Sequence, residues 1–438
     1  MDYELIFGSM RGMVTAVASI ILIKYFVYLI LAPFYPVKKE IEKLSLKWKI
    51  KKGTVPSNFH PQVSVIIPAW NEEVGVLTTI NSIIQNTYDK IQIVIVNDGS
   101  TDKTDSVIKN FLRKYRSSPT KGKTITYISQ SNGGKGSALN TGVRHSKGQI
   151  VLTVDADSAL QKDAITSLVK YFHDPEIDAV VGNVKIGNNK GVVGMIQKLE
   201  YIFGFYFKRV HALFNAEYIF GGACAAFRKS TTFASIGLFD THNKTEDIEY
   251  SMRTKLYGLK SHYAEDVVVY TEGASDLKGL YKQRLRWKKG RMDTFAKYRK
   301  LFFSTNSKHS KFLSWFILPY AILGEIQLMF EPMFFTLIWA YTIITGDYMS
   351  IGLSSLFILF TFVAAIIFGD TKVNKLNVFL FPSFWMLFYV LVLVEFFALI
   401  KSLDLIMAGE DVKWQNWARK GIDNTNTSKQ VSKIAITN

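Results

Sequence analysis

Two aspartates separated by one small residue, Asp155 and Asp157, end an apolar run that is typical of a buried strand. Residues i and i+2 of an extended chain point the same way, so both carboxylates can face one hard divalent cation. Mg²⁺ and Mn²⁺ take oxygen ligands and commonly bridge to phosphates, where they neutralise a departing diphosphate. The alternative is a helix cap, because Asp157 and Ser158 precede a helical pattern. We predict that both aspartates bind Mg²⁺ or Mn²⁺ and that Asp155 also contacts the substrate.

A second group of chemically capable residues lies in the segment 283–287, which reads Gln-Arg-Leu-Arg-Trp. On a helix, Gln283, Arg286 and Trp287 fall at positions i, i+3 and i+4 and share one face. The planar fork of Arg286 suits a diphosphate, Trp287 offers a flat surface to a sugar ring, and Gln283 can hydrogen-bond the acceptor or the nucleotide. The alternative is an interfacial helix with a tryptophan at the level of the lipid headgroups. The acids upstream favour the catalytic interpretation.

The order of these motifs resembles the processive, membrane-bound glycosyltransferases of family 2. An acidic pair is followed by Thr245-Glu246-Asp247, by Q-x-x-R-W and then by a long apolar region. Enzymes of that family build hyaluronan, cellulose, chitin and poly-N-acetylglucosamine from nucleotide sugars. The resemblance covers roughly residues 60–292. Within the family it is strongest to bacterial poly-β-1,6-N-acetylglucosamine synthases, on residues 97–104, 245–253 and 277–290.

The resemblance implies a catalytic role for Thr245-Glu246-Asp247. A sugar hydroxyl is a poor nucleophile because its pKa is very high, and a carboxylate within hydrogen-bond reach can accept its proton during attack. Asp247 is the predicted base, and Glu246 is expected to support the metal, the acceptor or the geometry. Direct attack, with UDP leaving from the opposite side, turns an α-linked donor into a β-linked product. The alternative is a capping cluster before the helical pattern that starts at Ile248.

The resemblance also implies a nucleotide site. Asp98 resembles the family's aspartate that contacts the uridine, although a turn or a helix cap is the alternative. In the family, a loop after the first strand also holds the base, and it is resembled here by Pro68, Ala69, Asn71 and Glu72. Lys135 follows a glycine-rich stretch that opens a helical pattern, and we predict that it reaches a phosphate or the uridine. That stretch is not a Walker loop, because Ser129 stands where the first glycine would be needed.

An acceptor-gating loop is implied by the stretch from Phe220 to Cys224, which precedes Phe-Arg-Lys as in the family. The expected acceptor-binding residues are Gly222, Ala223, Cys224 and Trp287. The Gly-Gly-Ala-Cys sequence departs from the family pattern, as does the single apolar segment near the N-terminus. Cys224 is the only cysteine of the chain, which excludes an internal disulfide.

Alternating strand and helix patterns must position these residues. Short β-branched runs predict strands at 62–68, 91–98, 124–129, 149–157 and 177–183. Amphipathic segments between them predict helices near 72–86, 102–115, 135–146 and 161–172. The order predicts an α/β, Rossmann-like nucleotide-sugar domain of the A-type fold, with a parallel sheet covered on both faces. Ligands bind at the carboxyl ends of such strands, where Pro68, Asp98 and Asp155 lie.

Long apolar segments predict a multi-pass protein of the cell membrane. Residues 13–31 can span a bilayer, and further apolar stretches lie at 316–345, 350–369 and 377–407. A signal peptide is disfavoured at 13–31, because the positive charge follows the apolar stretch. Three crossings after the catalytic domain would place the C-terminus outside, whereas Lys413, Arg419 and Lys420 favour the cytosol. An interfacial or re-entrant stretch is therefore an open alternative.

The net charge of +17 is concentrated in residues 38–52 and 278–311, and both stretches flank apolar runs. This placement predicts cytosolic belts that face lipid headgroups rather than a nucleic-acid surface. The expected segments are an N-terminal transmembrane helix with a basic flank, a cytosolic glycosyltransferase domain, interfacial amphipathic helices, transmembrane helices and a tail. Their boundaries are 1–59, 60–274, 275–315, 316–408 and 409–438.

These expectations converge on a membrane-embedded, inverting transferase. It would polymerise a UDP-sugar, with UDP-N-acetylglucosamine as the leading donor, into a β-linked polysaccharide that is extruded across the bilayer. An accessory membrane subunit is a further candidate partner. The alternatives are hyaluronan-type or cellulose-type synthesis, a single transfer to a lipid-linked acceptor, and an inactive translocation subunit. The last is disfavoured because Asp98, Asp155, Asp157 and Asp247 are all present.

Overall fold

The computed structural model describes residues 8, 9, 12 and 19 and the ranges 22–188, 191–369, 381–412 and 419–422. Residues 22–31 are helical and continue through a 3₁₀ turn, Ala32–Phe34, into helix α1, Tyr35–Lys51. The remaining helices follow in chain order. They are α2 (Val76–Ile84), α3 (Thr104–Ser117), α4 (Lys135–His145), α5 (Ala164–Phe172), α6 (Gly191–Leu213), α7 (Lys229–Ile236), α8 (Glu246–Leu256), α9 (Leu277–Lys297), α10 (Leu318–Thr345), α11 (Tyr348–Gly369) and α12 (Phe381–Met407).

The described residues form an eight-stranded mixed sheet at the centre of the domain. Its strands are β1 (Val63–Ala69), β2 (Ile91–Asp98), β3 (Lys123–Gln130), β4 (Ile150–Thr153), β5 (Ser158–Leu160), β6 (Ala179–Ile186), β7 (Ala225–Arg228) and β8 (Ser261–Thr271). They lie in the order β3-β2-β1-β4-β7-β6-β8-β5. The pairs among β3, β2, β1 and β4 are parallel, as is the β6–β8 pair.

The predicted α/β fold is confirmed, and the fully parallel sheet is wrong. The five predicted strands correspond to β1, β2, β3, β4 and β6, and the predicted helices correspond to α2 to α5. However, β7 lies antiparallel between β4 and β6, and β5 is antiparallel to β8. Strands of four and three residues are too short to show a periodic pattern, so the sequence did not reveal their direction.

Alternation along β1 explains why both faces of the sheet are covered. Val65 and Ile67 pack in the apolar cluster beneath α2 and α5, whereas Ile66 packs in the opposite cluster with α4. Successive side chains of a strand point to opposite faces, so a run that is apolar throughout fills both layers. The loops at the carboxyl ends of β1, β2 and β4 are thereby held at one edge of the sheet.

Among the described residues, one helical run is long and apolar enough to cross a membrane, Leu313–Thr345. A shorter apolar helical stretch covers Ile351–Ala365. The predicted segments 13–31 and 377–407 both fall partly outside the described residues. A multi-pass topology therefore stays a prediction.

Candidate active site

A large cavity of about 1160 Å³ opens at the carboxyl ends of β1, β2 and β4. The loop before β7, the start of α8 and one face of α9 complete its wall. Fifteen of the sixteen predicted site residues line it, namely Pro68, Ala69, Asn71, Glu72, Asp98, Lys135, Asp155, Asp157, Gly222, Ala223, Glu246, Asp247, Gln283, Arg286 and Trp287. Cys224 is the exception: it is fully buried and faces Gly182 of β6. Burial raises the pKa of the Cys224 thiol to about 12.

Asp98 organises the glycine-rich loop that precedes α4. Its carboxylate accepts hydrogen bonds from Gly133 N at 3.0 Å, Gly134 N at 2.8 Å and Gln130 Nε2 at 2.7 Å. Gly99 has a φ of +68°, and a Cβ there would lie 2.7 Å from the amide nitrogen of Asn132. The end of β2 therefore fixes where α4 begins, and with it the position of Lys135.

Lys135 lies among the carboxylates of the cavity. Its Nζ is 2.7 Å from Asp155 Oδ1 and 3.0 Å from Glu246 Oε1. Burial by itself would lower the pKa of Lys135, but Asp155, Glu246 and Asp247 outweigh it and the pKa is raised. Burial raises the pKa of Glu246, against the opposing pull of Lys135. The lysine is thus a fixed cation among the carboxylates of the site, and its reach towards phosphate stays a prediction.

The Thr-Glu-Asp segment begins α8 and faces the loop before β7. Asp247 Oδ2 accepts a hydrogen bond from Gly222 N at 3.1 Å. A Cβ on Gly222 would lie 2.6 Å from Lys135 Nζ, so glycine permits this close passage of the backbone. The predicted base and the predicted acceptor loop are therefore neighbours, beside Lys135.

A glycine lets the Q-x-x-R-W helix pack directly on the Thr-Glu-Asp segment. A Cβ at Gly290 would lie 2.2 Å from Thr245 Oγ1. Gly290 lies one turn after Trp287, so this contact sets how closely the Q-x-x-R-W face of α9 approaches the Thr-Glu-Asp segment. Gln283 is buried within α9, and the guanidinium of Arg284 lies 4.4 Å from the centre of the Trp287 ring.

We expect Gly290→Ala to lower both stability and turnover, because the added methyl must displace Thr245 or α9. Overpacking of this kind costs about 1–3 kcal/mol. Gly352→Ala is the matched control, since a Cβ there meets nothing within 4 Å on helix α11 and the residue does not line the cavity. That change should raise stability slightly, by about 0.5–1 kcal/mol. Thermal unfolding in detergent and the rate of UDP release measure both, and equal behaviour of the two variants would contradict the close contact.

The neighbouring face of α9, whose cations also line the cavity, is held by an ion network, here called the α9 network. Arg284 lies 2.6 Å from Glu200 of α6 and 3.2 Å from Glu395 of α12. Lys288 lies 2.8 Å from Glu325 of α10 and 2.9 Å from Glu395. Arg291 also pairs with Glu325 and completes three cations and three carboxylates. Sequence reasoning missed this network, because its glutamates lie in three separate helices.

Arg419, a residue that the sequence suggested only as a cytosolic charge, reaches into the mouth of the cavity. Its Nη1 is 2.7 Å from Asp157 Oδ2, and its Nη2 pairs with Glu72. Backbone N–H groups of Lys420 and Gly421 donate to Glu272 at 2.7 and 3.2 Å. Burial and the charge of Asp157 raise the pKa of Glu72 to about 8, although Arg419 acts in the other direction. Asp155 and Asp157 thus each pair with a different cationic side chain.

The acidic pair nevertheless fits a divalent cation. Both carboxylates line the same cavity beside the glycine-rich loop, and Mg²⁺ needs only one or two protein carboxylates when substrate phosphates supply further oxygens.

We expect Arg419→Gln to tighten Mn²⁺ binding, because the metal then no longer competes with the guanidinium for Asp157. In the absence of donor, the Mn²⁺ concentration for half-saturation should fall roughly tenfold. Calorimetric Mn²⁺ titration checks this, with the exposed Arg113→Gln as control. An unchanged affinity would contradict the competition.

The inner end of the cavity contains a buried acid that sequence reasoning did not identify. Glu217 is fully buried, and neither carboxylate oxygen has a hydrogen-bond partner among the described residues. Burial raises the pKa of Glu217 to about 7, although Lys208 and Lys255 act in the opposite direction. No motif marks this residue, since its role depends on what surrounds it.

Glu217 should make stability depend on pH. An acid whose pKa is raised in the folded state makes its full contribution to stability below its unfolded pKa of 4.5. This contribution is lost as the pH rises through the folded pKa of about 7. This shift in pKa corresponds to a loss on the order of 3 kcal/mol in the free energy of unfolding. Glu217→Gln should therefore unfold at a higher temperature than the parent chain at about pH 8.5, and at a similar one at about pH 4.5. A difference that does not vary with pH would contradict the raised pKa.

Comparison with known proteins agrees with this geometry. The family description "Glycosyl transferase family 2" matches residues 64–232, and "Glycosyl transferase family group 2" matches 150–398. A poly-β-1,6-N-acetyl-D-glucosamine synthase of Staphylococcus aureus (strain COL) is 30% identical over 285 residues, which are 64% of this chain and 63% of that protein. The synthase of Staphylococcus epidermidis is 31% identical over 232 residues, 52% of this chain and 54% of that protein. The matched region thus spans less than two thirds of these relatives.

A solved structure shares the fold. The mannosyltransferase of Pyrobaculum calidifontis, in complex with GDP-mannose and Mn²⁺, aligns with a TM-score of 0.56 and 20% identity. The alignment covers 82% of this chain and all of that protein. The A-type nucleotide-sugar fold is therefore shared, and the second family match covers more than half of the chain. The chain belongs to glycosyltransferase family 2.

Proposed function

We propose that this chain transfers N-acetylglucosamine from UDP-N-acetylglucosamine to the end of a growing β-linked polysaccharide. The observation that carries the proposal is the convergence, around one cavity, of the strand-end acids, Lys135, the Thr-Glu-Asp segment and the Q-x-x-R-W face. The similarity to poly-β-1,6-N-acetyl-D-glucosamine synthases supports the choice of donor and linkage.

The nucleotide would bind between the loops after β1 and β2. Asn71 joins these loops, because its Oδ1 accepts a hydrogen bond from Thr101 N at 2.8 Å. Pro68, Ala69, Asn71 and Glu72 would surround the base, and Asp98 would contact the uridine from the loop that it organises. Asp155 and Asp157 would hold Mg²⁺ or Mn²⁺, which when bound neutralises negative charge on the diphosphate.

Transfer would proceed by direct displacement. The acceptor hydroxyl would lie beside Asp247, which removes its proton as the oxygen attacks the anomeric carbon. Glu246 keeps Lys135 in place, and Lys135 and Arg286 would stabilise the negative charge on the leaving UDP. Trp287, Gly222 and Ala223 would position the acceptor sugar. Attack from the side opposite UDP inverts the anomeric centre and gives the β-linkage.

The domain is proposed to act at the cytosolic face of the cell membrane. One described helical run, Leu313–Thr345, is apolar and long enough to span a bilayer, and α9 is joined to it through Glu325. Passage of the polymer through further membrane helices and an accessory membrane subunit are part of the same proposal. This arrangement would let the product leave from the inner end of the cavity.

UDP release by the purified, detergent-solubilised chain tests the proposal. A panel of UDP-sugars is assayed with Mg²⁺, with Mn²⁺ and with chelator, and the product is sized. Metal-dependent release with UDP-N-acetylglucosamine and a long product would support it. Release with another donor would favour hyaluronan-type or cellulose-type synthesis, and a product with one added sugar would favour a lipid-linked acceptor. No release from a folded chain would favour an inactive translocation subunit.

A further inference from the structure

Helix α1 carries a narrow apolar strip on the side that faces away from the transferase domain. The strip consists of Phe34, Val37, Ile41, Leu44 and Trp48, which alternate in spacing by three and four residues. Each of these side chains is more than half exposed, from 55% to 62%. Large apolar side chains that lie exposed and contiguous mark an interaction surface.

The strip cannot turn inward, because the opposite face of α1 is fixed to the domain. Lys38 Nζ donates to the carbonyl of Ala212 at 2.6 Å, at the C-terminal end of α6. Lys39 lies 3.3 Å from Asp266 on β8, and Lys49 lies 2.8 Å from Glu176. The prediction that residues 38–52 form a headgroup belt thus needs revision, since three of its lysines face the protein.

The charge beside the strip is mostly positive, because four lysines outnumber Glu40, which pairs with Lys43 at 3.2 Å. Lys43, Lys47, Lys51 and Lys52 are exposed along the helix. The ammonium of Lys52 lies 3.9 Å from the centre of the Trp48 ring. A helix with bulky apolar residues and tryptophan on one side and lysines on another is typical of contact with anionic lipid. A second copy of the same helix would instead bring like charges together.

The strip also continues an apolar face of the preceding helix. Leu22, Ile23, Phe26 and Ile30 are exposed there by 41% to 59%. The chain from 22 to 51 is helical throughout and passes through only the short 3₁₀ turn Ala32–Phe34, so these side chains and the strip follow one another along one surface. A single occupant that covers both parts must offer an apolar interior and an anionic edge, which is the chemistry of a phospholipid bilayer.

We propose that the strip on α1 binds the surface of an anionic bilayer and so holds the transferase domain at a fixed orientation to the membrane. Tyr35, Lys39 and their partners on β8 transmit that orientation, because β8 ends at Thr271 on the wall of the cavity. The inference concerns a lipid contact and does not depend on which sugar is transferred.

The single cysteine makes a direct test simple. Cys224 is fully buried, so a cysteine introduced by Leu44→Cys can be labelled selectively with a fluorophore in the full-length chain. The labelled chain is reconstituted into phosphatidylcholine vesicles with or without phosphatidylglycerol, and lipids that carry a nitroxide near the headgroup serve as quenchers. Lys43→Cys is the matched control, one residue away on the lysine side of the helix. Val37→Cys supplies a second position on the strip.

Quenching of the label should be at least about threefold stronger at positions 37 and 44 than at position 43. It should also increase when phosphatidylglycerol is present. Replacing Lys47 and Lys51 by Gln should remove that dependence on lipid charge. Equal or absent quenching at all three positions would overturn the proposal. Disulfide formation between two copies at position 44 without quenching would assign the strip to self-association. None of these readouts depends on turnover, so failure here is distinguishable from failure of the proposed function.

Discussion

Asp247→Asn should lose nearly all sugar transfer while the fold and donor binding persist. The Asp247 carboxylate accepts hydrogen bonds from Gly222 N at 3.1 Å and Ile248 N at 2.9 Å. An asparagine oxygen can accept the same bond from Gly222, so the loop and α8 keep their contact. The amide cannot take the proton of the acceptor hydroxyl, and loss of a general base costs about 10²- to 10⁴-fold in rate. The rate of UDP release at saturating donor measures this loss.

The matched control removes a negative charge elsewhere. Asp89 is exposed and pairs with His60 away from the cavity, so Asp89→Asn should leave turnover unchanged. Donor affinity, measured by calorimetry, should be similar in both variants and in the parent chain. Full turnover by Asp247→Asn would assign the base to another group. A loss of donor affinity that matches the loss of turnover would indicate that Asp247 binds substrate rather than accepting a proton.

Much of the fold could be predicted because its signals are local. β1 and β2 are apolar throughout and end in turn residues, so their type and boundaries follow from a few neighbouring positions. Parallel strands joined by helices place their carboxyl ends at one edge, which is why Pro68, Asp98 and Asp155 could be expected to meet. The direction of β7 could not, because its four residues pair with β4 and β6 through contacts distant in sequence.

The remaining features of the site are non-local as well. Arg419 pairs with Glu72 across 347 positions of sequence, and a single arginine near a terminus gives no sign of such a partner. The lack of a hydrogen-bond partner for Glu217 among the described residues is likewise a property of its surroundings. Gly290 was within reach of sequence reasoning, since a glycine one turn after Trp287 in a helix needs a packing reason. The residues recognised from the sequence are those proposed to carry the chemistry, whereas the missed ones pack or pair against them.

The α9 network should produce the second large effect, because it ties the Q-x-x-R-W helix to three other helices. Glu395 is shared by Arg284 and Lys288. In Glu395→Gln, two largely buried cations must share the remaining carboxylates. Breaking such a buried pair should lower the free energy of unfolding by about 3 kcal/mol. This is the lower end of the usual range, because Glu395 is partly exposed. Turnover should fall as well, because Arg286 and Trp287 lie on the neighbouring face of the same helix and line the same cavity. Thermal unfolding in detergent and the rate of UDP release measure the two effects.

A double replacement separates charge balance from the loss of any one contact. Lys288→Gln alone leaves Glu325 and Glu395 with one cation fewer and should also destabilise the chain. Combining Lys288→Gln with Glu395→Gln restores equal numbers of cations and carboxylates, so the double variant should be more stable than the sum of the single losses allows. Lys401→Gln on the same α12 is the control, because Lys401 lies in an exposed pair with Asp404 at 3.9 Å. Exposed pairs contribute little, so that variant should unfold like the parent chain. If the two single losses simply add, the six side chains act independently, and the position of α9 depends on its apolar packing instead.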